Sequence, residues 1–135
     1  MIIGEKGKLQ NLRRSPYHIE NYDSLLERDY MVELEGRPGI KKWTKKHSIK
    51  IPYSFIGFRR NYLPDFLVEF NDGSKEIHET KGLPFLLWLS VKIKRETAET
   101  WCRNYGYKYK FITRSTIPFY QPEVIRKYEG IEKLQ

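Results

Sequence analysis

Between Asn61 and Lys81 the chain reads NYLPDFLVEFNDGSKEIHETK, and this stretch constrains the fold more than any other. Phe66 to Phe70 is rich in β-formers, and Asn71-Asp72-Gly73 supplies turn chemistry, with glycine where a left-handed backbone is needed. A second extended run follows, so the segment predicts a hairpin. If Asn71 to Gly73 form a three-residue loop, Phe70 faces Ser74 and Asp65 falls opposite Glu79. Side chains alternate with period two, which puts Lys81 on the same face. Like charges opposed across strands repel, and the simplest compensation is a divalent cation between them. A plainer reading competes: Asp65 as a polar residue after Pro64 at a strand start, with Glu79 and Lys81 as solvated outward positions. A two-residue Asp72-Gly73 turn would shift parity and send the acids to opposite faces unless a bulge intervened.

At 135 residues the chain is long enough to bury a core. It reads as one domain over 1–135, with a core at about 21–114 and a C-terminal helical segment at 115–135. Ten tyrosines lift the aromatic content to 15%, in a chain otherwise ordinary for a soluble globular protein. Twenty-five Lys and Arg against 17 Asp and Glu give a net charge of +8, which favours a polyanionic partner. Nucleic acid comes first and an anionic membrane surface second. The opening MIIGEKGKLQ lacks the apolar core of a signal peptide, and Leu83 to Leu89 is too short to span a bilayer. The expectation is an intracellular protein with no membrane partner, in the cytoplasm or, for a viral protein, the host cytoplasm. Lone Cys102 excludes a disulfide framework and a cysteine-rich zinc site. His18, His47 and His78 lack ligand spacing. His78 alternates away from Glu79 and reads as a packed histidine.

Along the chain, Met1 to Tyr22 reads as a lead-in. A helix is expected to start at Asn21 to Ser24 and to run to about Leu34, stopped by Gly36, Pro38 and Gly39. Leu26, Glu27, Tyr30, Met31 and Leu34 form one stripe, so Glu27 lies on or beside the buried face. Ser24-Leu25-Leu26-Glu27 also fits a capping box, and both uses of Glu27 stay open. Lys41 to Lys46 is a basic run around Trp43, followed by a strand over Ile49 to Tyr53 that Pro52 places at an edge. Phe55 to Arg60 reads as a connection. Trp43 and Tyr53, interleaved with cations, add modestly to the case for nucleic-acid contact, and the basic cluster equally reads as a solvated face. The main helix should run from Pro84 to Tyr105, stopped by Gly106, with Leu87, Val91, Lys94, Ala98, Trp101 and Tyr105 on its packed face. Lys94 is there either as a snorkelling lysine or as a phosphate contact near the carboxylates. A strand over Tyr107 to Thr113 completes a strand–helix–strand unit. Pro122 opens a last helix whose stripe, Val124, Ile125, Tyr128, Ile131 and Leu134, either closes the core or forms a dimer face.

In this order the parts resemble the PD-(D/E)xK nuclease superfamily. The stretches that carry the resemblance are SLLERDY at Ser24 to Tyr30, IKIPY at Ile49 to Tyr53, YLPDFLVEF at Tyr62 to Phe70, HETKG at His78 to Gly82, and KRETAETWCRNYGYKYKFIT at Lys94 to Thr113. They cover about Ser24 to Thr113. Within the superfamily the chain looks most like the endonuclease-type N-terminal domain of the TnsA transposase subunit. It is also similar to the phage endonucleases that resolve branched DNA, which share the proline–aspartate strand and the glutamate–threonine–lysine–glycine run. The chain shows no obvious counterpart of the extra domain that follows the nuclease domain in the transposase subunit.

The resemblance implies an α/β fold with a restriction-endonuclease-like core, a mixed β-sheet flanked by α-helices. It implies Asp65 and Glu79 as ligands of magnesium, with manganese as a substitute, and the Thr80 backbone carbonyl as a third ligand. Glu27 would hold the metal through water or complete a second metal site, and Lys81 would orient or deprotonate the attacking water. These side chains would all converge on one cation. Lys41, Lys42, Lys45, Lys46, Arg59, Arg60, Lys92 and Lys94 would supply contacts to the DNA backbone. The expected activity is metal-dependent endonucleolytic hydrolysis of DNA, on duplex or on branched substrates such as Holliday junctions. A non-catalytic nucleic-acid-binding module on the same scaffold is the alternative. Cutting both strands needs two active sites, which leaves a homodimer open.

Overall fold

In a computed structural model the chain is described over residues 5–82 and 89–129. Its centre is a four-stranded sheet in the order β3-β6-β7-β8, where β3 is Ile40–Thr44, β6 Phe66–Phe70, β7 Lys75–Lys81 and β8 Lys108–Thr113. The first two pairings are antiparallel and β7 with β8 is parallel, so the sheet is mixed and the fold is α/β. A parallel partner needs a crossover, and the α-helix Leu89–Tyr105 makes it. We label this helix α2, and α1 is Leu25–Gly36. The beginning expected for α2 at Pro84, and Leu87 on its stripe, lie outside the described residues.

The β6–β7 turn sets the register. Phe70 N–H donates to Ser74 O at 2.9 Å, Gly73 N–H donates to Phe70 O at 2.9 Å, and Gly73 takes φ +89°. Phe66 then pairs with His78 and Leu67 with Ile77. One step further out, Asp65 lies across from Glu79, as the three-residue loop predicts. Strand β7 has neighbours on both sides and is buried from Glu76 to Thr80.

Each face of the sheet carries its own core. On the face of Phe66, Val68 and His78 sits α1, with Tyr30, Met31 and Leu34 fully buried. Its start is capped as the sequence predicts on one side only: Ser24 Oγ accepts from Glu27 N–H at 3.1 Å. The Glu27 carboxylate reaches back one residue further, to Asp23 N–H at 3.0 Å. On the opposite face, Ala98 of α2 packs with Ile51 and Tyr62.

Several expectations are corrected. The N-terminal segment is no mere lead-in: β1 (Gly7–Leu9) and β2 (Glu20–Tyr22) form a hairpin, and Leu9 and Leu12 enter the α1 core. Phe55 to Arg60 is not a connection. Strand β4 (Ile51–Phe55) turns through Ile56-Gly57 into β5 (Phe58–Tyr62), and the two form a separate ribbon. Both turn residues have positive φ, +49° and +77°, the backbone of a tight two-residue hairpin. Trp43 is fully buried against Phe66, so it packs the core and stacks on nothing outside. On α2 the buried residues are Val91, Ala98 and Cys102, whereas Tyr105 is exposed and stacks on Trp101. The last helix is one turn, α3 (Pro122–Ile125), followed by a tighter turn over Arg126–Tyr128. Ile125 is buried in the α1 core, with Val124 and Tyr128 against it; Ile131 and Leu134 lie outside the described residues. Among the described residues no helix is long and apolar enough to cross a membrane.

Candidate active site

Asp65 sits at the entry to β6 and Glu79 near the end of β7, and the hairpin register makes them neighbours. Asp65 N–H donates to Glu79 Oε1 at 3.0 Å. Asp65 Oδ2 accepts twice from Thr80, from N–H at 2.9 Å and from Oγ1 at 2.8 Å. These bonds lock the aspartate side chain. Lys81, two residues beyond Glu79 on the same face, brings Nζ to 3.4 Å from Glu79 Oε2.

The electrostatics follow from burial. Glu79 is 4% exposed, and desolvation together with the Asp65 charge pushes its carboxyl up to about 8, against the pull of Lys81. Desolvation and the charge of Glu27 push Asp65 up to about 6, while the Thr80 hydrogen bonds work the other way. A chain of charges thus runs from Glu27 through Asp65 to Glu79, each acid raising the cost of ionising the next, and Lys81 offsets only part of it at Glu79.

Glu27 enters this chain of charges through Asp65. It lies on α1, against the face of His78 and Phe66, whereas period two turns Glu79 towards α2. Its carboxylate accepts from Lys45 Nζ, which also donates to Asn21 O at 2.9 Å and lies 3.6 Å from Asp23 Oδ2. Asp65, Glu79, Thr80 and Lys81 therefore come together, and Glu27 stands beside them on a lysine of its own. Among the described residues no three acidic, histidine or cysteine side chains form a ready-made ion cage.

The donor set still fits a hard divalent cation. Asp65 and Glu79 offer oxygen ligands of the type magnesium prefers, and the penalty for ionising both is the one a cation would relieve.

Beside Glu79 lies a small cavity, about 10 Å³ and so near the size of one water, lined by Tyr62, Lys81, Lys94 and Arg95 among others. Tyr62 and Tyr109 touch through their hydroxyls at 3.1 Å, and burial beside Glu79 raises both phenols. Sequence reading passed over Tyr62, Arg95 and Tyr109. The signal for Tyr109 was in the alternation of β8, whose Phe111 pairs with Glu79 and whose Tyr109 lies two residues before it on the same face.

The basic positions are scattered. Lys41 and Lys42 are exposed on edge strand β3, each 3.6 Å from Glu69. Lys46 lies over the Tyr17 ring and donates to Ile19 O. Arg59 and Arg60 lie on the β4–β5 ribbon, Lys92 is exposed on α2, and Lys94 faces the cavity. Lys45, expected at a phosphate, is spent on Glu27. His78, as expected, is a packed histidine, fully buried between the Tyr30 hydroxyl and Glu76, 2.8 Å away.

Compared with known protein families and with curated proteins, the chain matches none.

Proposed function

We propose that this protein is a magnesium-dependent DNA endonuclease of the PD-(D/E)xK type. The observation that carries the reading is the Asp65–Glu79 pair, opposed across one hairpin with Lys81 at 3.4 Å and a cation-lined cavity alongside. Two carboxylates and one lysine are the residue types that phosphodiester hydrolysis asks for. A divalent cation on Asp65 and Glu79 would supply Lewis acidity, offsetting phosphate charge and acidifying a water. The protein's own groups do the rest. Thr80 fixes the orientation of Asp65 through two hydrogen bonds. Lys81 holds a positive charge where negative charge grows on the phosphate, and as an ammonium it would orient the attacking water by donating a hydrogen bond to it. Lys94 and Arg95, which line the cavity, add positive charge beside Glu79. The overall +8 charge supplies affinity for the backbone, so binding weakens steeply with salt.

One observation favours a second reading, a nucleic-acid-binding module without catalysis: Lys45 already neutralises Glu27. Supercoiled plasmid with and without magnesium decides between the two. Nicked or linear product that appears only with the metal supports the nuclease. Salt-sensitive binding with no product, on plasmid, linear duplex and four-way junction alike, supports the binding module.

A further inference from the structure

The β4–β5 ribbon carries a face that the proposed chemistry leaves unused. Its register pairs Ile51 with Tyr62, Tyr53 with Arg60 and Phe55 with Phe58. Directly paired residues of an antiparallel ladder share a face, so these three rungs line one side of the ribbon. At the base, Tyr62 is buried and lines the cavity beside Glu79. In the middle, Lys94 Nζ reaches across from α2 to 5.5 Å from the Tyr53 ring centroid and 5.8 Å from that of Tyr62. At the tip, Phe58 is 64% exposed with the Arg60 guanidinium 6.0 Å from its ring centroid. Among the described residues no carboxylate pairs with Arg59, Arg60 or Lys94.

The outer two rungs, with half-buried Tyr53 and Phe55, exposed Phe58 and an Arg60 that pairs with no carboxylate, match the chemistry of an unpaired nucleic-acid strand. Bases stack on aromatic faces while phosphates meet Lys and Arg. Spacing argues against a duplex in this position. Same-face rungs recur every two residues, about 6.8 Å apart, roughly twice the 3.4 Å step of a strand within a duplex. Bases spread to that distance have left the duplex stack.

We propose that this face of the β4–β5 ribbon holds unpaired DNA bases, and that the substrate is DNA that is single-stranded next to the bond cut, as at a single-stranded flap. The substrate clause rests on the nuclease reading, but the binding test does not. It uses fluorescence anisotropy of labelled oligothymidylate and of a duplex of equal length, with the metal chelated. The wild type should prefer the single strand. Phe58→Ala should lose about tenfold of that affinity and leave duplex affinity unchanged, and Phe58→Trp should retain it. Because Phe58 is exposed, an unchanged melting temperature is the folding control. As an independent readout on the wild type, 2-aminopurine within the oligonucleotide should be quenched on binding. Equal loss on both DNAs, no loss on either, or no quenching overturns the proposal. So does self-association that vanishes in Phe58→Ala while oligothymidylate binding persists. If no DNA is cut with magnesium but the single-strand preference and its loss in Phe58→Ala remain, the ribbon assignment stands and the nuclease reading falls.

Discussion

Lys45, just past β3, gives its ammonium to the carboxylate of Glu27 on α1, 18 residues earlier in the chain. Both side chains are largely buried, so the pair holds the start of α1 against the sheet and sets how much negative charge Asp65 feels. Replacing Lys45 with Met should leave Glu27 buried without a counter-charge, at a cost of about 1–3 kcal/mol, read as a lower denaturation midpoint. The same variant should bind magnesium more tightly than the wild type, because the site becomes more negative. Calorimetric titration checks that rise.

Asp65→Asn and Lys81→Ala should each reduce cleavage by ~100-fold or more, the usual loss when a charge acting on the transition state is removed. Circular dichroism and DNA binding should stay close to wild type. Full cutting activity in either purified variant would falsify the assignment of the site.

Metal-free protein should lose stability as the pH rises through about 6 and then about 8, where Asp65 and Glu79 ionise. The sign follows from the raised values: the folded chain binds protons there that the unfolded chain has already released, so its advantage is full in acid and fades with alkali. Glu79→Gln should flatten the upper part of that slope. Magnesium should raise the melting temperature more at pH 8 than in acid, and should not do so in Glu79→Gln.

Acid has its own limb. Burial lowers the pKa of His47 and His78, so both stay neutral in the fold when the unfolded chain takes up protons. Stability from these groups is therefore present above about 6.5 and is lost as the pH falls through their lower folded values. Melting temperatures of His47→Gln should show a shallower acid limb than those of wild type.

Trp43→Ala should destabilise the fold by about 3–5 kcal/mol, since the ring is fully buried and its Nε1–H donates to Glu35 at 2.9 Å. Trp43→Phe should leave DNA affinity unchanged, which separates a core role from a stacking one.

The hairpin that bears Asp65 and Glu79 was legible because its information is local. Asn71-Asp72-Gly73 sets the loop, the loop sets the register, and period two does the rest. The helix carrying Glu27 was legible too, through Ser24 and the apolar stripe. Long-range polar pairing was not. Glu20 is fully buried and, besides nearby Ser15, takes a hydrogen bond at 2.7 Å from the Thr44 hydroxyl, 24 residues away; Asp29 is fully buried and, besides its neighbour Arg28 at 3.2 Å, is reached by Arg114, 85 residues away, at 2.8 Å. Nothing near either acid in the sequence announces the distant partner. The β4–β5 turn was missed because Ile56 holds a left-handed φ of +49°, where Asn or Asp is the usual signal and a β-branched side chain is strained. Glu27 was expected on the cation, and local spacing could not show that Lys45 would reach it first.

The parallel pairing of β7 with β8 has a consequence for how the molecule is made. Asp65 and Glu79 can meet as soon as their own hairpin closes, a short and entropically cheap loop. Strand β8 arrives only after all of α2 has been synthesised, and until then the strand bearing Glu79 is a bare sheet edge. A chain that stops before Lys108 would carry the acids in register on a surface ready to join other chains, so truncation at that point should yield aggregates rather than a smaller soluble protein.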